Sequence, residues 1–318
     1  MPDFTAPASQ HDVTRCLTLC GHAFGQILPL LGIPVQEQPS PEAFYQSLQQ
    51  ARQNLGSWKD VAQKLNLSEQ EITQFTQTLR TLNKLLERHD SGQPAGKNLA
   101  IAALRFLAQL ERLKEKQPLL TYSTDLHKDG EEKQLRSLQQ VRALELMIRS
   151  LINEAYSNQR ALLHHLRTLF GEERVKTWLN VADRDDVLSG TLFSELSSLF
   201  VDKKEYATHY SPLYQYTPLL SFMNDKRKTL QTFLDDIRAI RNRLAHHKRV
   251  TSVHTALVNY YYQEIADPVQ EAFDEGRVQV NPDRYFDAGV AEVRQYFNQM
   301  TEKMGRLGDD LQEVKESL

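Results

Sequence analysis

Apolar residues recur three and four positions apart along nearly the whole chain, and runs of strict polar and apolar alternation are almost absent. On a helix that spacing gathers the apolar side chains onto one face, whereas on a strand it would scatter them over both. The expected fold class is all-α. The supply of turn formers agrees, since 13 Gly and 12 Pro in 318 residues fall well short of the roughly 12% of an average protein. A turn-rich β sandwich or barrel is excluded. With 40% hydrophobic and 25% charged residues, the chain can bury a sizeable core and does not have the composition of a disordered protein.

The periodicity predicts helices over 11–31, 41–55, 58–65, 68–88 and 98–116. It breaks at 117–132, where Pro118, Ser123 and Gly130 stand among charged residues without a helical apolar period. This stretch reads as a linker between an N-terminal helical region, 1–116, for regulation or partner binding, and a C-terminal region, 133–318. Few core contacts are expected to cross it. Helices resume over 133–157, in shorter pieces up to 170, and over 175–179, 187–200, 226–248, 253–275 and 287–314. Residues 201–220, with Tyr206, Tyr210, Tyr214, Tyr216, Pro212 and Pro218, read as an ordered aromatic loop with little regular structure.

The 38 Lys and Arg are nearly balanced by 41 Asp and Glu, for a net charge of -3. No global field draws the chain to nucleic acid, so such binding needs a local basic patch. Residues 1–12 carry acid and proline in place of a basic stretch followed by an apolar one, and the longest apolar run is broken by Pro29 and Pro34. No secretory leader or membrane span is expected, and the location is read as cytoplasmic. Cys16 and Cys20 lie four apart in one helical pattern without the paired Cys or His of a zinc site, and read as buried thiols. His164 and His165 likewise lack acidic or thiol companions at ligand spacing. No metal and no cofactor are expected, and the absence of a Gly-rich phosphate loop argues against an ATPase.

Two motifs bear on function. Residues Trp58 to Ile72 form a short helix, a turn and a second helix opened by Ser68 and Glu71, the spacing of a capping box. The outline resembles a helix-turn-helix. A DNA reader needs basic or amide groups early on its second helix, however, and this one offers Glu69, Gln70, Glu71, Thr73 and Gln74. The acids repel phosphate, so a helical hairpin within a bundle is the expected role, with a transcriptional regulator as the rival.

The second motif runs from Arg238 to Arg249 and concentrates five Arg or Lys and two His in a slightly acidic chain. Leu230, Phe233, Leu234, Ile237, Ile240 and Leu244 supply a core stripe, which leaves the other faces for basic residues. Arg238, Asn242, His246 and Arg249 fall along one stripe, flanked by Arg241. Such a set suits cleavage of an RNA phosphodiester. A neutral imidazole can take the proton of the ribose 2′-hydroxyl, an imidazolium can protonate the leaving oxygen, and arginine can hold the negative charge that develops on phosphorus-bound oxygens. Arg241, Asn242 and His246 are the candidate catalytic residues; Arg238, His247, Lys248 and Arg249 are candidates for binding substrate. The bland alternative is a solvated basic helix whose terminal histidine complements the helix dipole.

Arg241-Asn242-Arg243-Leu244-Ala245-His246 resembles the arginine, four to six residues, histidine signature of the HEPN superfamily, in its form with Asn after Arg and Ala before His. Residues Leu144 to Ile152 resemble the early helix of the Abi-like and related HEPN groups, and the gap of about ninety residues between the two also suits them. The resemblance covers roughly 133–275. It implies a C-terminal HEPN-type helical bundle with a C-terminal helical extension, and metal-independent endoribonuclease activity of the kind found in toxin-antitoxin and phage-defence systems. It also implies RNA as substrate, a homodimer with a composite cleft that supplies the second histidine, and an antitoxin or defence-system partner protein. HEPN toxins silenced by a nucleotidyltransferase carry a tyrosine two residues after the histidine; Lys248 stands there, which argues against such a partner. Tyr260, Tyr261 and Tyr262 are expected to pack in the core instead. Glu145, four before Arg149, is a candidate to fix Arg241 or His246 from behind. The alternative function is a non-catalytic HEPN module that binds RNA or a protein.

Overall fold

The computed structural model describes residues 10–34, 38–91, 96–126, 131–182, 186–217, 225–245 and 250–316, with no β-strand among them. The chain forms two compact units, Met1–Asp129 with Thr251–Tyr260, and Gly130–Val250 with Tyr261–Leu318.

The first unit contains α1 (Gln10–Leu30), α2 (Pro41–Leu55), α3 (Trp58–Lys64), α4 (Glu69–Asp90) and α5 (Lys97–Lys116). Phe24, Phe44, Phe75 and Phe106, one from each of the four longer helices, are all but inaccessible and form its centre. Phe24 stacks on Phe44 with ring centroids 3.9 Å apart, and Phe106 tilts against Phe24 and Phe75 at 5.8 and 5.2 Å. Burying each such ring contributes on the order of 2 kcal/mol. Cys16 and Cys20 are buried free thiols on α1, and burial pushes the Cys20 thiol well up.

The Trp58 hairpin is part of this bundle. Val61 and Ala62 of α3 and Ile72, Phe75, Leu79 and Leu82 of α4 are buried. Asn66 takes the left-handed conformation, φ 57°, that the tight connection requires. Ser68 and Glu71 form the expected capping box: the Glu71 N–H donates to Ser68 Oγ at 3.2 Å, and the Ser68 N–H donates to Glu71 Oε2 at 2.9 Å. Lys116 Nζ then reaches Glu71 at 2.6 Å and ties the end of α5 to the start of α4.

A boundary between the two units, Asp129 to Gly130, falls within the stretch read as a linker, and the described part of that stretch packs on the first unit. Residues 120, 122, 124 and 126 are buried and the three between them exposed. The Tyr122 hydroxyl donates to the Leu110 carbonyl at 2.7 Å, and the N–H groups of Thr121 and Tyr122 donate to Gln26 Oε1 at 2.8 and 3.1 Å. The segment has a period after all, but it is two: extended chain covers the helices with alternate side chains. The first turns of α12 (Ser252–Asp274) belong to the same unit, and the Leu126 N–H donates to Ser252 Oγ at 2.9 Å.

The second unit contains α6 (Glu131–Ala155), α7 (Gln159–Phe170), α8 (Glu172–Val181), α9 (Phe193–Phe200), α10 (Lys203–Glu205), α11 (Lys226–Ala245), the rest of α12, α13 (Asp283–Phe286) and α14 (Val290–Glu316). Val141, Leu144, Ile148 and Ile152 give α6 an apolar face that packs on α9, α13 and α14. Between α8 and α9 the backbone passes so close to α8 that a Cβ on Gly190 would lie 2.2 Å from the Trp178 carbonyl oxygen. The aromatic stretch after α9 is more regular than expected. Tyr206–Tyr210 is one π-helical turn, and Tyr210 packs against Phe200 with centroids 4.4 Å apart. The Tyr214 hydroxyl donates to the Ile265 carbonyl at 3.1 Å, and Tyr261 stacks on Phe233 at 4.4 Å and donates to Asp236 at 2.6 Å.

Two predictions follow from these contacts. Gly190→Ala should lower unfolding free energy by about 1–3 kcal/mol, measured by urea denaturation, because backbone must move to admit the methyl group. The hydrogen bond from Lys116, then that from the Ser68 N–H, holds the Glu71 carboxyl down to about 2. A folded-state value below the unfolded one stabilises above the ordinary carboxylate range and is lost as pH falls through the folded value. Glu71→Gln should therefore cost about 1 kcal/mol at neutral pH, screened by partial exposure, and progressively less between pH 4 and 2.

Candidate functional site

Helix α11 buries Leu230, Phe233, Leu234, Ile237 and Ile240 along one face. Arg241 follows Ile237 by four positions, so the helix carries it onto that same face, and it is only 3% exposed. This corrects the expectation that the basic residues of the motif all stay off the core stripe. What admits a guanidinium there is Glu145 on α6, itself 3% exposed. Glu145 Oε2 lies 3.4 Å from Arg241 Nη2, and Oε1 lies 3.3 Å from Nη2 of Arg149, one turn along α6. The Phe193 ring of α9 faces the Arg241 guanidinium, 5.9 Å from its centroid. Helix α14 packs on both α6 and α11 and brings the buried Tyr296 hydroxyl to the same place. Burial, with the Glu145 charge beside it, pushes the Tyr296 phenol far above its ordinary range.

The other residues of the motif sit differently. Asn242 and Arg243 are half-buried, and Arg238 is exposed with Asp235 at 3.3 Å. His246, His247, Lys248 and Arg249 lie outside the described residues; α11 runs to Ala245, directly before them in the chain. The structure thus brings Glu145, Arg149 and Arg241 together and leaves Arg238, beside Asp235, apart from those three.

Two buried polar groupings carry no sequence spacing that announces them. In the first unit, Glu111 Oε1 accepts from the Thr124 hydroxyl and Oε2 from the Thr251 hydroxyl, both at 2.9 Å, with His254 Nδ1 3.6 Å from Oε2. In the second unit, Glu205 Oε2 accepts from the Tyr156 hydroxyl at 2.6 Å, and Oε1 lies 3.0 Å from His165 Nε2. Partners 13 to 143 positions apart are joined only by the tertiary fold. Among the described residues, no group of three or more His, Cys, Asp or Glu could hold a metal ion, and no helix is long and apolar enough to cross a membrane.

Against models of known protein families, residues 1–282 match the STY4199-like HEPN family. The chain belongs to that family. The HEPN match takes in α1 to α5 as well as the 133–275 stretch that carries the signature, and it ends just before α13 and α14. No curated protein and no solved structure is significantly similar to the chain.

The Arg241 environment sets the outcome of substitution. Glu145→Ala should cost about 3–5 kcal/mol in urea unfolding, because it removes the carboxylate that lies between the buried Arg241 and Arg149 guanidinium groups. Arg241→Ala leaves Glu145 its Arg149 partner and should cost about 1.5–3 kcal/mol. Arg241 is therefore a poorer probe of chemistry than its place in the motif suggests.

Proposed function

We propose that this HEPN protein is an endoribonuclease effector of a toxin-antitoxin or phage-defence system, acting in the cytoplasm on RNA without a metal or cofactor. The reading rests on the signature: a HEPN chain carries Arg241, Asn242 and His246 complete, and its arginine is fixed by a carboxylate from a second helix. In this reading His246 is the acid or base, Arg241 stabilises charge on the phosphate, and Asn242 orients the histidine or donates to a phosphate oxygen. Attack of the 2′-hydroxyl on the adjacent phosphorus expels the 5′-oxygen and leaves a 2′,3′-cyclic phosphate. Arg238, His247, Lys248 and Arg249 add local positive charge for the RNA backbone. The reaction needs both an acid and a base, and a second copy of the chain would supply the second His246, so the active form is a homodimer. An antitoxin or defence partner would restrain it.

One observation favours the rival, a non-catalytic HEPN module that binds RNA or a protein: Arg241 is buried and ion-paired, as a purely structural arginine would be. Expression of wild type beside His246→Ala separates the two. The nuclease reading predicts growth arrest and fragmented RNA with wild type only, a loss of about 10²–10⁴ in cleavage rate for purified His246→Ala, and cleavage that persists in EDTA. Equal cleavage by two folded proteins leaves the binding module. Sedimentation at micromolar concentration should find a dimer; a monomer that cleaves at full rate removes the composite site.

A further inference from the structure

Helix α11 begins beside an open groove of about 390 Å³, all of whose lining residues belong to the second unit. Tyr206 forms part of its wall. The side chain is only 9% exposed, yet its hydroxyl makes no hydrogen bond to a described residue. The charged groups that act on that hydroxyl are Asp225 and Arg227, which line the same groove, so the hydroxyl end of the ring faces it. Burial, and then Asp225, pushes the phenol up to about 12, which keeps its proton in place at neutral pH. A buried donor left unmet is costly, and the groove is the side from which a partner can come.

Two cations line the groove as well. Lys226 Nζ donates to the main-chain carbonyls of Tyr214 and Gln215, and Arg227 Nη1 donates to the Val201 carbonyl at 2.8 Å. These bonds hold both side chains in place without neutralising them, and each cation keeps donors to spare. Among the described residues neither forms an ion pair. The main chain adds to the set. The Lys228 N–H donates to Asp225 Oδ1 at 3.2 Å and the Thr229 N–H to the Asp225 carbonyl at 3.1 Å, which leaves the N–H groups of Lys226 and Arg227 unmet among the described residues, at the positive end of a 20-residue helix. Phosphate has the charge and the oxygens to accept from such donors.

The rest of the lining says what the phosphate is attached to. Asp225 would repel a bare anion, but its second oxygen can accept from a hydroxyl on the same ligand, and the Gln215 amide can both donate and accept. Pro212 offers apolar surface beside them. A compact body rich in hydroxyls meets these groups, and a purely apolar one does not.

We propose that this groove is a binding site for a sugar phosphate, its phosphate held by Arg227, Lys226, the Tyr206 hydroxyl and the first N–H groups of α11, and its hydroxyls by Asp225 and Gln215. The site is separate from the signature residues and stands whether or not the chain is a nuclease. A free metabolite and the 5′-terminal nucleotide of an RNA offer the same chemistry.

The test is an NMR titration of the full chain that follows the amide signals of Lys226 and Arg227, with ribose 5-phosphate, inorganic phosphate and ribose as probes. Ribose 5-phosphate should shift both amides at millimolar concentration, inorganic phosphate should bind more weakly, and ribose should leave them unmoved. Tyr206→Phe, which removes the hydroxyl alone, should weaken ribose 5-phosphate about 5–10-fold. Arg227→Gln should weaken it about 10-fold or more. Asp225→Asn keeps a side chain that caps the helix; it should tighten inorganic phosphate and narrow the preference for ribose 5-phosphate over it. If Arg227→Gln does not fold, Tyr206→Phe decides. Unmoved amides at millimolar ribose 5-phosphate, or equal affinity in folded Tyr206→Phe, overturn the site. A 5′-phosphorylated ribodinucleotide that binds at these amides more tightly than ribose 5-phosphate assigns the site to an RNA end, and weaker binding assigns it to a free sugar phosphate.

Discussion

A single carboxylate, Glu145, permits the signature helix to pack as it does. Helix α11 turns a guanidinium into the same face that holds Phe233, Ile237 and Ile240, and an uncompensated charge there would outweigh much of what those side chains contribute. Glu145 removes the conflict by sharing its two oxygens between Arg241 and Arg149. The pair then fixes how α6 and α11 meet, and α9 and α14 close over it with Phe193 and Tyr296. An apolar pair of equal volume could pack as well, so the ion pair by itself is weak evidence of added stability.

Most of the fold was legible in the sequence because helices announce themselves locally. The apolar period placed α1 to α8, α11, α12 and α14 to within a few residues but ran α9 together with the 3-10 turn at Val187–Gly190 before it, and Ser68 with Glu71 marked the start of α4 to the residue. What escaped was structure of another period or of none. Leu120, Tyr122 and Leu126 alternate, which a search for helical spacing reads as a break, and the π turn at Tyr206–Tyr210 has no composition of its own. The site was legible in part for the same reason. Arg241 and Glu145 each lie in a local motif, but that Arg241 faces inward follows from its register with Ile237, which the charge of its neighbours obscured. Glu111, Thr124, Thr251 and His254 have no local signature, because their association exists only once the chain has folded.

The segments of the two units interleave along the chain. Residues after the signature return to the first unit, whose core is the four-phenylalanine cluster of α1, α2, α4 and α5. One boundary between the units therefore falls within α12, and the HEPN family match spans it.

The central claim is chemical, that an imidazole of this chain drives attack by the ribose 2′-hydroxyl. It is tested most directly by the ends of the RNA it cuts. Mass spectrometry of the fragments from purified wild-type protein should find 2′,3′-cyclic phosphate on one side of each cut and 5′-hydroxyl on the other, with neither formed by folded His246→Ala. Fragments bearing 5′-phosphate and 3′-hydroxyl ends, or cyclic ends produced equally by the variant, would contradict the account.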